Sequence, residues 1–188
     1  MPEAKVGLVP TWGGCTQLLL RAQTLPAGGA NDPLAAARAA FQTIFGGGFS
    51  RSALDARANG LLREEDSIIM NRRNLVAAAK ARAAGLAEAG YRVPQRALIA
   101  VAGPPAKLEI MNTLRSEPEP GRYTDTDLHL ADMLASILTG GREGDPRHPV
   151  NEEELMQLER VALLQLVRRP ETRARIDHML RTGKPLRN

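Results

Sequence analysis

A single carboxylate near the start of the chain is the residue best placed to do chemistry. Glu3 leads into an apolar loop rich in proline and glycine, which contains Val9, Pro10 and the pair Gly13-Gly14. Loops held by a rigid scaffold often build functional sites, and a positioned carboxyl group can act as a general acid or base. The alternative is an exposed glutamate without a role. We take Glu3 as the candidate catalytic residue.

The remaining residues capable of chemistry form no recognisable constellation. The histidines His129, His148 and His178 lie in three separate segments, without the ligand spacing of a metal centre, so we predict no metal site. Cys15 is the only cysteine and cannot form an internal disulfide, which agrees with a reducing compartment. No histidine adjoins it in sequence, so we interpret it as a small packed side chain.

Glycine motifs do not indicate a nucleotide site in this chain. The run Gly46-Gly47-Gly48 is not followed by Lys-Ser/Thr, so it is interpreted as a helix stop. The sequence also lacks Gly-x-Gly-x-x-Gly, the dinucleotide fingerprint. We therefore expect no cofactor in this chain, and any NAD would bind elsewhere.

Amphipathic helices are predicted to position the loop. Three- and four-residue apolar spacing and cap residues mark their starts. The first three predicted helices begin near Cys15, at Pro33 after an Asp32 cap, and at Ser50 or Arg51. Three more are predicted over 66–90, 107–115 and 125–138. The last two are predicted to begin after Asn151 and at Pro170. The helix over 66–90 would have about seven turns. Predicted breaks fall at Pro26, Gly28-Gly29, Pro118 and Pro120, and the segment 97–102 is predicted to form a short strand or an extended crossing.

The amino-acid composition argues against two classes of protein, those that bind nucleic acid and those that span a membrane. The 188 residues are 43% hydrophobic but only 3% aromatic, with a formal charge of +4. Basic residues are scattered and no aromatics interleave with them, so we expect no nucleic-acid partner. No apolar stretch approaches the length of a membrane span and no signal peptide is evident. We expect a soluble, cytoplasmic protein.

Three blocks of the sequence resemble known enzymes of fatty-acid β-oxidation. The first two are similar to the loop and the following helix-turn of the crotonase (enoyl-CoA hydratase/isomerase) superfamily. The third resembles the carboxyl end of multifunctional proteins in which a 3-hydroxyacyl-CoA dehydrogenase accompanies a crotonase domain. The blocks are Pro2-Glu3 with Gly7-Leu8-Val9-Pro10 and Gly13-Gly14, then Ser52-Ala53 with Ala56 and Gly60-Leu61, and finally 175–188.

The resemblance implies a fold, a reaction and partners. Glu3 matches the second catalytic glutamate of a hydratase (a lyase), which adds water to a 2-enoyl-CoA thioester. The first catalytic glutamate and the oxyanion hole would precede Met1, as would the dehydrogenase portion and its NAD. The chain would then be incomplete and inactive alone, and its partners would be an acyl-CoA thioester and the upstream crotonase and dehydrogenase portions.

The expected fold is mainly α, comprising the helical C-terminal portion of a crotonase-like α/β fold plus a helical tail, with the central sheet largely missing. Domain bounds are predicted at 1–93 for the crotonase-like part and 94–188 for the tail. Apolar helix faces without their sheet favour a homo-oligomer. The alternative function is a non-catalytic helical module for oligomerisation or subunit docking, with Glu3 incidental.

Overall fold

Helices make up the regular secondary structure of the described part of the protein. A computed structural model describes residues 2–24, 32–117, 119 and 121–188. Within those ranges 61% of residues are helical and no strand forms. The α-helices are α1 (Gly14–Thr24), α2 (Pro33–Phe45), α3 (Ala53–Ala58), α4 (Leu75–Glu88), α5 (Gly103–Arg115), α6 (Asp125–Leu138), α7 (Glu152–Arg168) and α8 (Pro170–Thr182), with 3-10 turns at Glu3–Val6 and Arg72–Asn74. The prediction of a mainly helical chain is confirmed.

Helix α6 is the centre of the core. It contacts α1, α2, α5 and α7, and its Leu130, Leu134 and Leu138 are at most 2% exposed. Helix α8 packs on α7 and on the 3-10 turn Glu3–Val6. One apolar cluster therefore joins both predicted parts of the chain. The domain division at residue 93 stays a prediction.

The predicted helix starts are confirmed where a local cap sets them. The Asp32 side chain accepts hydrogen bonds from the backbone N–H groups of Leu34 and Ala35, and Pro33 follows at the first helical position. Thr124 with Asp127 and Asn151 with Glu154 each form a complete capping box. Aspartate therefore serves in place of the usual glutamate in the first box.

Other predicted elements differ in length. Helix α5 begins at Gly103 rather than Lys107, because Pro104 and Pro105 occupy the first turn, where a missing N–H removes no helical hydrogen bond. The possible strand within 97–102 is one isolated antiparallel bridge between Ile99 and Val150. The predicted breaks at Pro26, Gly28-Gly29, Pro118 and Pro120 lie outside the described residues.

The predicted seven-turn helix over 66–90 is wrong in length. A 3-10 turn at Arg72–Asn74 precedes a helix of 14 residues, α4, in which no residue is buried. Asn71 caps the 3-10 turn by accepting from the N–H of Arg73, so the chain before it does not continue the helix. Apolar spacing was therefore no sign of burial in this segment.

Candidate functional site

The loop that follows Glu3 is fixed by a short helical turn and by α8. The 3-10 turn Glu3–Val6 ends at Gly7, which has a φ of 77°. In this left-handed conformation the N–H of Leu8 donates to the carbonyl oxygen of Glu3 at 3.0 Å. A Cβ on Gly7 would lie 3.3 Å from Oγ1 of Thr172 on α8. Glycine at this position therefore serves both the turn and the close approach of α8.

Glu3 itself is half-buried at the base of this loop. Its Oε2 atom is inaccessible to solvent and has no hydrogen-bond partner among the described residues. Buried polar atoms without partners are uncommon in native proteins and call for an explanation. The carboxylate is thus positioned to accept a hydrogen bond that the described residues do not provide.

A second carboxylate holds the other end of the loop. Glu159 of α7 is 0% exposed, and its two oxygens accept hydrogen bonds from Gly13, directly before α1, and from Thr16 in the first turn of α1. Oε2 accepts from the N–H of Gly13 at 2.8 Å, and Oε1 accepts from the N–H and the hydroxyl of Thr16 at 2.8 and 2.7 Å. A negative charge is favourable at the amino end of a helix. Glu159 therefore anchors the loop to α7 and occupies the N-terminal donors of α1.

Cys15, in the first turn of α1, is unsuited to nucleophilic chemistry. Its thiol is 0% exposed and donates to the carbonyl oxygen of Pro10 at 3.2 Å. Burial raises the pKa of Cys15 well above its usual value, and the charges of Glu159 and Glu3 raise it further. The thiol therefore stays protonated at neutral pH.

Trp12, at the tip of the loop, lines an open apolar groove on the surface of α7. Its indole is 90% exposed, and its φ of 54° is the only positive φ outside glycine among the described residues. Backbone strain of this kind is commonly found at functional sites. The groove has a volume of about 460 Å³ and is lined by Thr11, Trp12, Glu153, Met156, Gln157, Arg160, Leu163 and Leu164.

Glu159 and Arg160 were not identified from the sequence, although a signal for Glu159 existed. The stripe that α7 turns toward the core consists of Leu155, Ala162 and Leu166, and Glu159 falls on it by the three- and four-residue spacing. A charged residue on a buried stripe needs a partner. What the sequence does not give is the identity of that partner, about 145 residues away along the chain.

The described ranges contain neither a cluster of metal ligands nor a helix that could span a membrane. There, no three His, Cys, Asp or Glu side chains gather in a way that could hold a metal ion. His148 lies beside Asp145, with 2.9 Å between Nδ1 and Oδ2. None of the helices in these ranges combines the length and the apolar character that crossing a bilayer requires.

The fold and the loop define a helical protein with a buried carboxylate anchor and an adjacent apolar groove. Comparison with curated proteins adds a relative from Bacillus subtilis (strain 168), named "Probable 3-hydroxyacyl-CoA dehydrogenase". The two are 35% identical over 186 residues, covering 99% of this chain and 23% of the relative. The chain thus spans about a quarter of the length of that protein. No protein-family profile matches the sequence, and no solved structure matches it.

This relative corrects the predicted family and reaction. The crotonase resemblance and the enoyl-CoA hydratase activity are contradicted, because the relative that matches nearly the whole chain is named a dehydrogenase. Short loop and turn motifs carried that prediction, and such motifs recur wherever a chain needs the same turns. The dehydrogenase and fatty-acid part of the prediction is supported. The catalytic role of Glu3 stays a prediction.

Proposed function

We propose that this chain is a helical part of a 3-hydroxyacyl-CoA dehydrogenase that acts on acyl-CoA thioesters. The observation that carries the proposal is the 35% identity that extends over 99% of the chain. Because the match continues through loops and helices alike, it supports a shared three-dimensional unit rather than a shared motif. NAD would be bound by another part of the dehydrogenase, since the sequence has no dinucleotide fingerprint.

The dehydrogenase reaction requires a proton acceptor, and this is the role that we propose for Glu3. Oxidation of a 3-hydroxyacyl-CoA breaks the C3–H bond, transfers hydride to NAD, and releases the hydroxyl proton as the C3 carbonyl forms. A carboxylate can accept that proton, and Glu3 lies at the base of the loop, where it is half-buried rather than fully enclosed. We assign Glu3 this general-base role as a proposal.

The groove beside Trp12 suits the acyl portion of such a thioester. Its volume of about 460 Å³ lies within the range of small-molecule sites. Met156, Leu163 and Leu164 supply apolar walls, and Arg160 supplies one positive charge at the same surface. An alkyl chain would be buried against these walls and against the exposed face of the Trp12 indole.

Fluorescence tests the groove directly, because Trp12 is the only tryptophan in the chain. Titration with decanoyl-CoA should shift the emission of Trp12 to shorter wavelength, and free coenzyme A should produce no such shift. Leu164→Asp, which puts a charge on the groove wall, should weaken binding at least tenfold. The matched control Leu180→Asp changes an exposed leucine of α8 and should bind like the parent. Equal responses to decanoyl-CoA and to free coenzyme A would refute the acyl site.

A chimera tests the dehydrogenase assignment. The matched segment of the Bacillus subtilis relative is replaced by this chain, and NADH formation from a 3-hydroxyacyl-CoA is measured. We expect turnover comparable to that of the relative, and we expect Glu3→Gln to lower it by roughly 10²–10⁴-fold. A folded chimera without turnover would overturn the proposed function. Full turnover with Glu3→Gln would overturn only the role of Glu3.

A further inference from the structure

One segment of the chain, residues 67–98, extends from the body of the protein and is almost entirely exposed; we call it the arm. Its two ends are anchored. Before it, the Arg57 side chain donates to the carbonyl oxygen of Asp66 at 2.5 Å, and after it Ile99 and Val150 exchange both backbone hydrogen bonds, at 2.8 and 2.9 Å. Between these anchors, every residue except Ile68 and Ala78 is exposed.

The arm carries more large apolar side chains than a fully solvent-exposed segment normally does. Half of the exposed large hydrophobic side chains in the described ranges belong to it, namely Ile69, Met70, Leu75, Val76, Leu86, Tyr91, Val93 and Leu98. Leu75 and Leu86 are eleven residues apart, which at 3.6 residues per turn places them on the same side of α4. Contiguous exposed apolar surface on a protein marks an interaction site.

Helix α4 also lacks the tertiary support that a helix of its length needs. It has 14 residues, none of them buried, and the element that it contacts most is the adjacent 3-10 turn Arg72–Asn74. Isolated helices shorter than about 12–15 residues are marginal in water, and in proteins the packing of one face supplies most of the stability of a helix. The exposure of α4 therefore indicates that another surface packs against this helix.

The charge of the arm defines that partner further. It carries Arg72, Arg73, Lys80, Arg82, Arg92 and Arg96 against the single acid Glu88, a net charge of 6 − 1 = +5. The whole chain is +4, so the remainder of the sequence sums to 4 − 5 = −1. Two arms side by side would repel each other, which disfavours pairing of the arms of two copies.

We propose that the arm is the docking surface for the rest of the dehydrogenase polypeptide, and that its partner is an apolar surface with an acidic rim in that remainder. The inference rests on the proposed function. About three quarters of the relative lies outside the matched segment, which covers 23% of it, so a dehydrogenase of this kind has ample surface to cover the arm. Leu75 and Leu86 insert into the apolar centre, and the arginines lie at the rim.

Limited trypsin digestion tests the proposal, because cleavage after Lys80 and Arg82 requires the arm to be accessible. In the isolated chain the arm should be cut rapidly. In the chimera described above, mass spectrometry should show cleavage at these sites slowed at least tenfold. The double variant Leu75→Glu/Leu86→Glu should restore the rate of the isolated chain. The matched control Leu108→Glu/Leu180→Glu changes two exposed leucines of α5 and α8, outside the arm, and should keep the protection.

The outcomes separate the two proposals. An active chimera whose arm is cut as fast as in the isolated chain would overturn the docking surface and leave the dehydrogenase assignment intact. A protected arm in an inactive chimera would show that the arm docks on the remainder of that polypeptide, and it would overturn the activity proposed for this chain. A third outcome would show that a second copy of the chain covers the arm, and the proposal would then be wrong. In that case sedimentation would show the isolated chain to be a dimer, its arm would already be protected from trypsin, and Leu75→Glu/Leu86→Glu would dissociate the dimer.

Discussion

Replacement of Glu159 by glutamine should loosen the loop while leaving the shape of the core unchanged. The two carboxylate oxygens accept from three donors, the N–H groups of Gly13 and Thr16 and the Thr16 hydroxyl. An amide has one oxygen and one NH₂ group, which is a donor. In either orientation of the glutamine, one backbone N–H faces the NH₂ group and loses its acceptor.

The magnitude follows from that one lost acceptor. A buried donor left unsatisfied costs about 1–3 kcal/mol, and a domain of this size loses about 2–4 °C in Tm per kcal/mol. Taking about 2 kcal/mol as the central cost, we expect Glu159→Gln to lower Tm by about 4–8 °C. Glu159→Ala leaves all three donors without an acceptor and adds a cavity, so we expect a larger loss of about 4 kcal/mol.

Calorimetry and fluorescence together provide the assay. Differential scanning calorimetry gives the Tm of the parent, of Glu159→Gln and of the control Glu65→Gln, which changes an exposed glutamate and should not alter the Tm. Since Trp12 adjoins Gly13, its emission should change in Glu159→Gln and stay constant in the control. A Tm within about 1 °C of the parent, with unchanged emission, would show that the loop does not depend on the Glu159 carboxylate, because loss of a buried acceptor should lower the Tm by more than this.

Two further predictions concern other buried polar groups. Arg175 is 3% exposed, and its guanidinium donates to Asp127 at 2.7 Å and to Thr124 at 3.1 Å. Arg175→Met should cost about 3 kcal/mol, because it breaks this buried ion pair. Arg181→Met, which breaks an exposed ion pair, should cost less than about 1 kcal/mol, so equal costs in denaturant titration would contradict the reasoning. Burial raises the pKa of Cys15 in the folded state. The protonated thiol should therefore contribute fully to the free energy of unfolding below the pKa of an unfolded thiol, about 8.5, and this contribution should fall as the pH rises above that value. Cys15→Ala should remove that part of the pH dependence, and identical slopes for Cys15→Ala and the parent between pH 7.5 and 10 would refute the assignment.

Local chemistry determined the features that the sequence predicted correctly. The cap at Asp32 and the two capping boxes each join groups within three residues of one another, so their geometry is set by the chain itself. The mainly helical composition follows from apolar spacing summed over many residues. Part of the family resemblance also came from the sequence, since the link to a 3-hydroxyacyl-CoA dehydrogenase was expected and the relative supports it.

Tertiary structure alone decided the remaining features, because they depend on residues far apart in the chain. Glu159 and Arg175 are charges whose burial is tolerable only with partners 143 and 48 residues away, and no local pattern identifies such partners. The apolar residues of 66–90 predicted a helix with a core-facing stripe, yet α4 has no buried residue. Periodicity records which side chains favour burial. Whether another surface covers them depends on how the whole protein, and any partner, is arranged in space.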